Sequence, residues 1–140
     1  MSPAAAGYSG KPVWQKLGLT AAARVRIEHA PGDYAALTGF PPDLLDAVDA
    51  HANFDFAHVF ATSAAQLAQD IHAIAQALPA RGVLWVSWPK KASKVATDIS
   101  EDRVRAIALP LGLVDVKVCA IDAVWSALKL AWRLELRAGK

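Results

Sequence analysis

Thr62, Ser63, Trp88, Lys90, Lys91 and Lys94, with Gly32 and Trp125, are the residues whose types and positions suit the holding of an anion. Ser63 has the hydroxyl of an N-cap and Gln66 stands three residues later, as in a capping box, so a helix starts there. Its first turn offers backbone N–H groups and the positive end of a dipole, which together favour negative charge. The three lysines add formal charge, and Trp88 and Trp125 add flat apolar faces on which a planar ligand can stack. Each residue also has a structural reading: Ser63 as a plain cap, the lysines as a solvated loop, the tryptophans as half-buried packing. The binding reading requires that these loops meet at one rim, and it names an anionic small molecule or an acidic partner as the ligand.

Other chemistries lack their signatures. No Gly-x-Ser-x-Gly elbow, Cys-x-x-Cys pair, His-Glu-x-x-His motif or Walker loop is present, so no catalytic residue, metal or cofactor is assigned. His29, His51, His58 and His72 make no metal set. His29 ends a strand near the proposed rim and is the one functional candidate; His58, inside a strand, reads as a hydrogen-bonded core residue. Asp98 and Glu101 are spaced for capping as well as for acid–base work, and capping is the simpler role. Cys119 stands alone in a strand-like setting and reads as a buried, inert thiol. Trp88-Pro89 suits either peptide isomer.

The elements that must position these residues follow from punctuation and period. The segment 24–29 alternates like a first strand, with Pro31 and Gly32 ending it. Residues 33–38 suit one or two helical turns, and 43–51 reads as either a helix or an irregular edge segment. A nearly all-apolar strand opens near Phe54 and runs into the helix capped by Ser63, whose Leu67, Ile71, Ile74, Ala75 and Leu78 share a face. Gly82 then launches Val-Leu-Trp-Val-Ser-Trp, a strand buried on both faces that breaks at Pro89 into the basic loop. Ser100 caps another helix with Glu101 and Asp102 in its first turn, and a strand follows from Leu113. The stretch 128–137 alternates strictly, so it predicts a last, antiparallel strand with one wet face at the far side of the sheet. The expected architecture is a flexible arm over 1–12 and a single three-layer α/β domain over 13–140, Rossmann-like and mostly parallel.

Charge divides unevenly along the 140 residues. The first eighty carry four basic and seven acidic residues, a net of −3, and the rest carry eleven and six, a net of +5. No run approaches the ~18 apolar residues of a membrane span, so no membrane partner and a cytoplasmic location are expected. Nucleic-acid binding through the basic half is a third functional reading, against which stand the modest pI of 8.8 and the lack of a reading motif. An apolar last strand at a sheet edge would also invite a homodimer.

Two resemblances follow from these segments. Gly-Tyr-Ser-Gly at 7–10, Lys-Leu-Gly at 16–18, Trp-Pro-Lys-Lys-Ala-Ser at 88–93, Thr-Asp at 97–98 and Leu-Val-Asp-Val-Lys-Val-Cys-Ala at 113–120, with Trp-Ser at 125–126, resemble a family of short bacterial proteins of unknown function. The order of elements is similar to the later half of class I S-adenosylmethionine-dependent methyltransferases. That resemblance implies a Gly-rich turn after the first strand and an acidic residue after the second. Here the turn is His29-Ala-Pro-Gly-Asp-Tyr, with Gly32 its only glycine and Asp33 as stand-in for the acid. The expectation is a trimmed relative acting as a non-enzymatic binding or regulatory domain, with a methyltransferase-like transferase as the alternative.

Overall fold

A computed structural model describes residues 10–140, so the expected arm and the Gly-Tyr-Ser-Gly motif lie, up to residue 9, outside the described residues. In chain order the elements are α1 (Val13–Leu17), β1 (Arg24–Glu28), α2 (Tyr34–Thr38), β2 (Asp46–Val48), β3 (Phe56–Phe60), α3 (Ala64–Ala77), β4 (Val83–Pro89), α4 (Glu101–Ala108), β5 (Leu113–Ala120) and β6 (Trp125–Trp132). The six strands form one sheet in the order β2-β1-β3-β4-β6-β5. Strands β1 to β4 pair in parallel, and β6 runs antiparallel to both β4 and β5.

Strand alternation builds the two core layers. Ala57 and Val59 face the layer of α3 and α4, where Leu67, Ile71, Val104 and Ala108 pack with Leu84, Val86, Leu128 and Leu130. Phe56 and Phe60 face the other side and pack with Val25, Trp85 and Ala127 against Leu17, Tyr34 and Phe40 of the α1 and α2 layer. With both faces covered, every residue of β3 is buried, which is why it reads as a nearly continuous apolar run. Trp85 has no exposed surface and its indole N–H donates to Leu17 O at 2.9 Å, tying α1 to the sheet.

The last strand differs from expectation in phase and in place. It starts at Trp125 and stops at Trp132, and Leu134–Gly139 coils into a 3-10 helix that leaves Leu134 75% exposed. It also lies inside the sheet, between β4 and β5, with both of its hydrogen-bonding edges used. A homodimer through that strand therefore has no free edge to form on; the open edges belong to β2 and β5. Within β6 the wet face seen in the sequence survives only at Lys129, which is half-buried, while Ala131 beside it is buried. The ambiguous stretch 43–51 contains a 3-10 turn and then β2, a three-residue edge strand.

Gly112 joins α4 to β5 at φ +98°, a region that favours glycine, and an added Cβ would meet Leu136 Cδ1 at 2.5 Å. Gly112→Ala is expected to lose about 1 kcal/mol or somewhat more in urea denaturation. Unchanged stability would show that the turn relaxes without strain.

Candidate functional site

The chain runs from β1 to β2 on one side and then returns to β3 on the other, so strand order reverses between β1 and β3. In open α/β sheets the crevice above the carboxyl ends at such a point is where ligands bind. An open cleft of about 370 Å³ lies here, lined by His29, Phe60, Thr62, Ser63, Gln66 and Trp125. A second hollow of about 380 Å³ is lined by Gly32, Asp33, Asp122 and the same Trp125 among others. Parallel pairing brings the β3 and β4 exits together, with Ala61 N–H donating to Ser87 O at 3.0 Å.

The loops at this rim are fixed from within. Ser63 Oγ accepts from Gln66 N–H at 3.3 Å, as its sequence position predicts. The next free donor, Ala64 N–H, is taken by the carboxylate of Asp98 at 2.7 Å. Thr97 Oγ1 donates to Thr62 O at 2.6 Å and accepts from Ile99 N–H at 3.1 Å, so 97–99 forms a strap across the start of α3. The anion that this helix terminus favours is thus supplied by the chain itself. Lys90 is likewise engaged: its ammonium donates to Asp122 O and its N–H to Val124 O, both at 2.7 Å. Asp122 Oδ1 accepts from Val124 and Trp125 N–H, each at 2.8 Å, which holds the turn carrying Trp125.

Of the residues singled out in the sequence, Gly32, Thr62, Ser63 and Trp125 line the two hollows. Lys90 braces the rim from outside. Trp88, only 6% exposed, packs with the α3 and α4 core and lines neither hollow, and its bond to Pro89 is trans. Its burial in that core leaves little ring face for a ligand to stack on. Lys91 and Lys94 are exposed on the following 3-10 turn, with Lys94 at φ +64°.

Two features were less visible in the sequence. His29 adopts φ +60°, uncommon for a non-glycine residue, and its Nε2 faces Asp70 Oδ2 at 3.4 Å. Gln66 Nε2 donates to Asp70 Oδ1 at 3.0 Å, while the buried Oδ2 has no hydrogen-bond partner. The signal was there in the i, i+4 spacing of Gln66 and Asp70, which otherwise reads as an ordinary polar helix face. Beneath the cleft, His58 is wholly buried, with Nδ1 2.7 Å from Tyr34 Oη and Nε2 2.7 Å from Ser87 Oγ. Burial pushes its pKa down to about 3 and pushes the Tyr34 phenol up. The neutral imidazole stacks on Phe60 at 4.3 Å, and Phe60 meets Trp125 edge-on at 5.4 Å. The cleft is therefore aromatic on one side and polar on the other. Such a lining suits a planar ring carrying hydroxyl groups.

No family model and no curated protein sequence matches the chain. Solved structures do. A protein of the NADB-Rossmann superfamily from Streptococcus agalactiae superposes with a TM-score of 0.55 at 10% identity, covering 87% of this chain and 68% of that one. The tRNA methyltransferase TrmK of B. subtilis gives 0.56 at 9% identity, covering 91% and 68%. LepI, solved with SAH and a substrate analogue, gives 0.50 at 12% identity over 79% of this chain, which spans only 36% of LepI. At these identities the similarity is one of architecture: the chain has a Rossmann-like α/β fold.

Proposed function

We propose that the cleft above β1 and β3 binds S-adenosylmethionine or a closely related adenosine-bearing molecule, and that the protein is a small methyltransferase-like transferase. The observation that carries this reading is the position of the cleft, at the strand-order reversal of a methyltransferase-like sheet. The residues fit such a group. Phe60 and Trp125 offer ring faces and edges to a base, and His29, Ser63 and Gln66 offer polar groups to a ribose. The unpartnered Asp70 oxygen behind His29 is the kind of unsatisfied polar atom that functional sites carry. The volume also lies within the ~300–1,000 Å³ of small-molecule sites.

When bound, the cofactor would supply an electrophilic methyl group on sulfonium. The chain's own part is positioning: the Lys90 and Asp122 contacts fix the turn that carries Trp125, and the Asp70 carboxylate faces the His29 ring. The turn His29-Ala-Pro-Gly-Asp-Tyr, whose Asp33 caps α2 by accepting from Ala36 N–H at 3.1 Å, departs from the Gly-rich turn of that family. This reading therefore places the ligand against side chains of β3 and α3 rather than against a glycine backbone. The resemblance to short bacterial proteins adds a relative without an activity, and a cytoplasmic location accords with a diffusible cofactor.

Calorimetry with S-adenosylmethionine and S-adenosylhomocysteine tests the reading, with saturable one-to-one binding as the expected result. His29→Gly is expected to weaken it about tenfold, or about 1.4 kcal/mol. The same change relieves the positive φ, so its melting temperature should not fall. Absence of heat at millimolar cofactor would end the proposal. The exposed Lys91 and Lys94 favour a second reading, a non-enzymatic domain that takes an anionic small molecule or an acidic partner beside the rim. Thermal shifts with phosphorylated metabolites that vanish on Lys91→Ala with Lys94→Ala would support that one instead.

A further inference from the structure

At the opposite end of the sheet, where β4 begins, lies a pocket of about 290 Å³ lined by Arg81, Gly82, Val83, Val116, Lys129 and Arg137, together with Ala131. It opens on the α1 and α2 face: Leu128 and Leu130 belong to the α3 and α4 core, so Lys129 between them projects the other way. Lys16 of α1 donates to Ala120 O at the carboxyl end of β5, at 3.4 Å, and among the described residues no α-helix residue lines this pocket. Lys117 on β5 stands directly across from Lys129 on β6, next to a bulge between Asp115 and Lys117. Like charges in direct cross-strand register destabilise a sheet.

Among the described residues no carboxylate forms an ion pair with Arg81, Lys117, Lys129 or Arg137; the nearest acid on the same strand, Asp115, is committed to Arg105 at 3.0 Å. Arg137 Nε donates to Trp132 O at 3.2 Å, which anchors its side chain on the sheet. Burial and the neighbouring Lys117 lower the Lys129 pKa, as expected of an ammonium held without a counter-charge. Three cations without an ion-pair partner among the described residues, Arg81, Lys129 and Arg137, around an apolar floor of Gly82, Val83 and Val116, with Lys117 in register beside Lys129, thus define a site for multiple negative charge.

We propose that this pocket binds the oligophosphate group of a small molecule, with Arg81, Lys129 and Arg137 as its donors and Lys117 adding to the field. Arginine suits the role because its planar fork pairs with phosphate oxygens in a bidentate manner. A di- or triphosphate matches the clustered charge and the small volume better than an extended polyanion, for which phosphate contacts need a longer basic track. The site is independent of the adenosyl cleft, since it uses other strands' ends and a ligand with phosphate.

Titration with sodium tripolyphosphate at fixed ionic strength is the test, with saturable single-site binding as the expected result. Lys129→Gln combined with Arg137→Gln should weaken it at least ~tenfold, because two charge-assisted hydrogen bonds are lost. Lys91→Gln combined with Lys94→Gln, at the other rim, should leave it unchanged. Lys129→Gln alone also relieves the cross-strand repulsion, so its melting temperature should hold or rise while affinity falls; a folding defect would lower both. Absence of saturation, or equal losses from the two double variants, would overturn the proposal. So would affinity for single-stranded RNA that grows with oligonucleotide length while tripolyphosphate goes unbound.

Discussion

Replacing His58 with alanine should lower the unfolding free energy by about 3–4 kcal/mol, measured by urea denaturation at pH 7. The side chain is fully buried, and its loss leaves a cavity against Phe60 and two hydroxyls, Tyr34 Oη and Ser87 Oγ, without their 2.7 Å partner. An orphaned buried polar group costs roughly 1–3 kcal/mol, and the lost packing adds to that. The effect should also depend on pH. Folded His58 takes up its proton near pH 3, whereas the imidazole in the unfolded chain does so near 6.5. Below pH 6.5 the unfolded state binds the extra proton, so wild-type stability falls with acidification by up to about 1.4 kcal/mol per pH unit until the folded pKa is reached. Above 6.5 the contribution is constant. The alanine variant lacks this slope, so its deficit should shrink between pH 7 and pH 4. A deficit that stays the same across that range would mean that His58 is not held neutral in the folded protein.

That network sits under the cleft, and this gives it a place in function as well as in stability. His58 fixes Phe60 by stacking, and Phe60 and Trp125 form the aromatic side of the site. The sequence shows His58 as a core residue, because a lone histidine inside an apolar strand must find partners there. It does not show Tyr34 or Ser87 as those partners. They come from an adjoining helix and an adjoining strand, and pairing across a sheet leaves no mark in any one segment's periodicity.

The same boundary between local and non-local information explains the rest of the comparison. Strands at Arg24, Phe56, Val83 and Leu113, and the caps Ser63 and Ser100, were legible because turn residues, apolar runs and capping hydroxyls act over three or four positions. The three-residue β2 was not, since exposed Asp46 and Ala47 have no pattern to show. The last strand had a clear period but an unclear place. Alternation reveals which residues share a face, not which strands lie on either side, and only the pairing of β6 with both β4 and β5 removes the expected edge. For the site, Gly32, Thr62, Ser63 and Trp125 could be placed at the rim from strand direction alone. Trp88 could not be separated from them, because a tryptophan at a strand end looks the same whether a ligand or the protein's own core covers it.

Removing the Asp98 carboxylate, as Asp98→Ala, should cost about 2 kcal/mol and at the same time create an anion site. Asp98 accepts from Ala64 N–H at 2.7 Å, a charged hydrogen bond worth roughly 1.5–3 kcal/mol, and it lies at the positive end of the 14-residue α3. The strap that carries it is tied down separately by Thr97, whose hydroxyl donates to Thr62 O, so the loss should remain local. With the carboxylate gone, Ala64 N–H and the helix dipole again lack a negative partner, and sulfate or phosphate should then raise the melting temperature of the variant more than that of the wild type. Such a difference would show that the wild-type helix terminus is closed to external anions by its own chain, which turns the search for a ligand towards the cleft beside it. Equal responses to sulfate, with a full loss of stability, would instead mean that Asp98 serves the strap alone and that the terminus was never the electrostatic feature its sequence suggests.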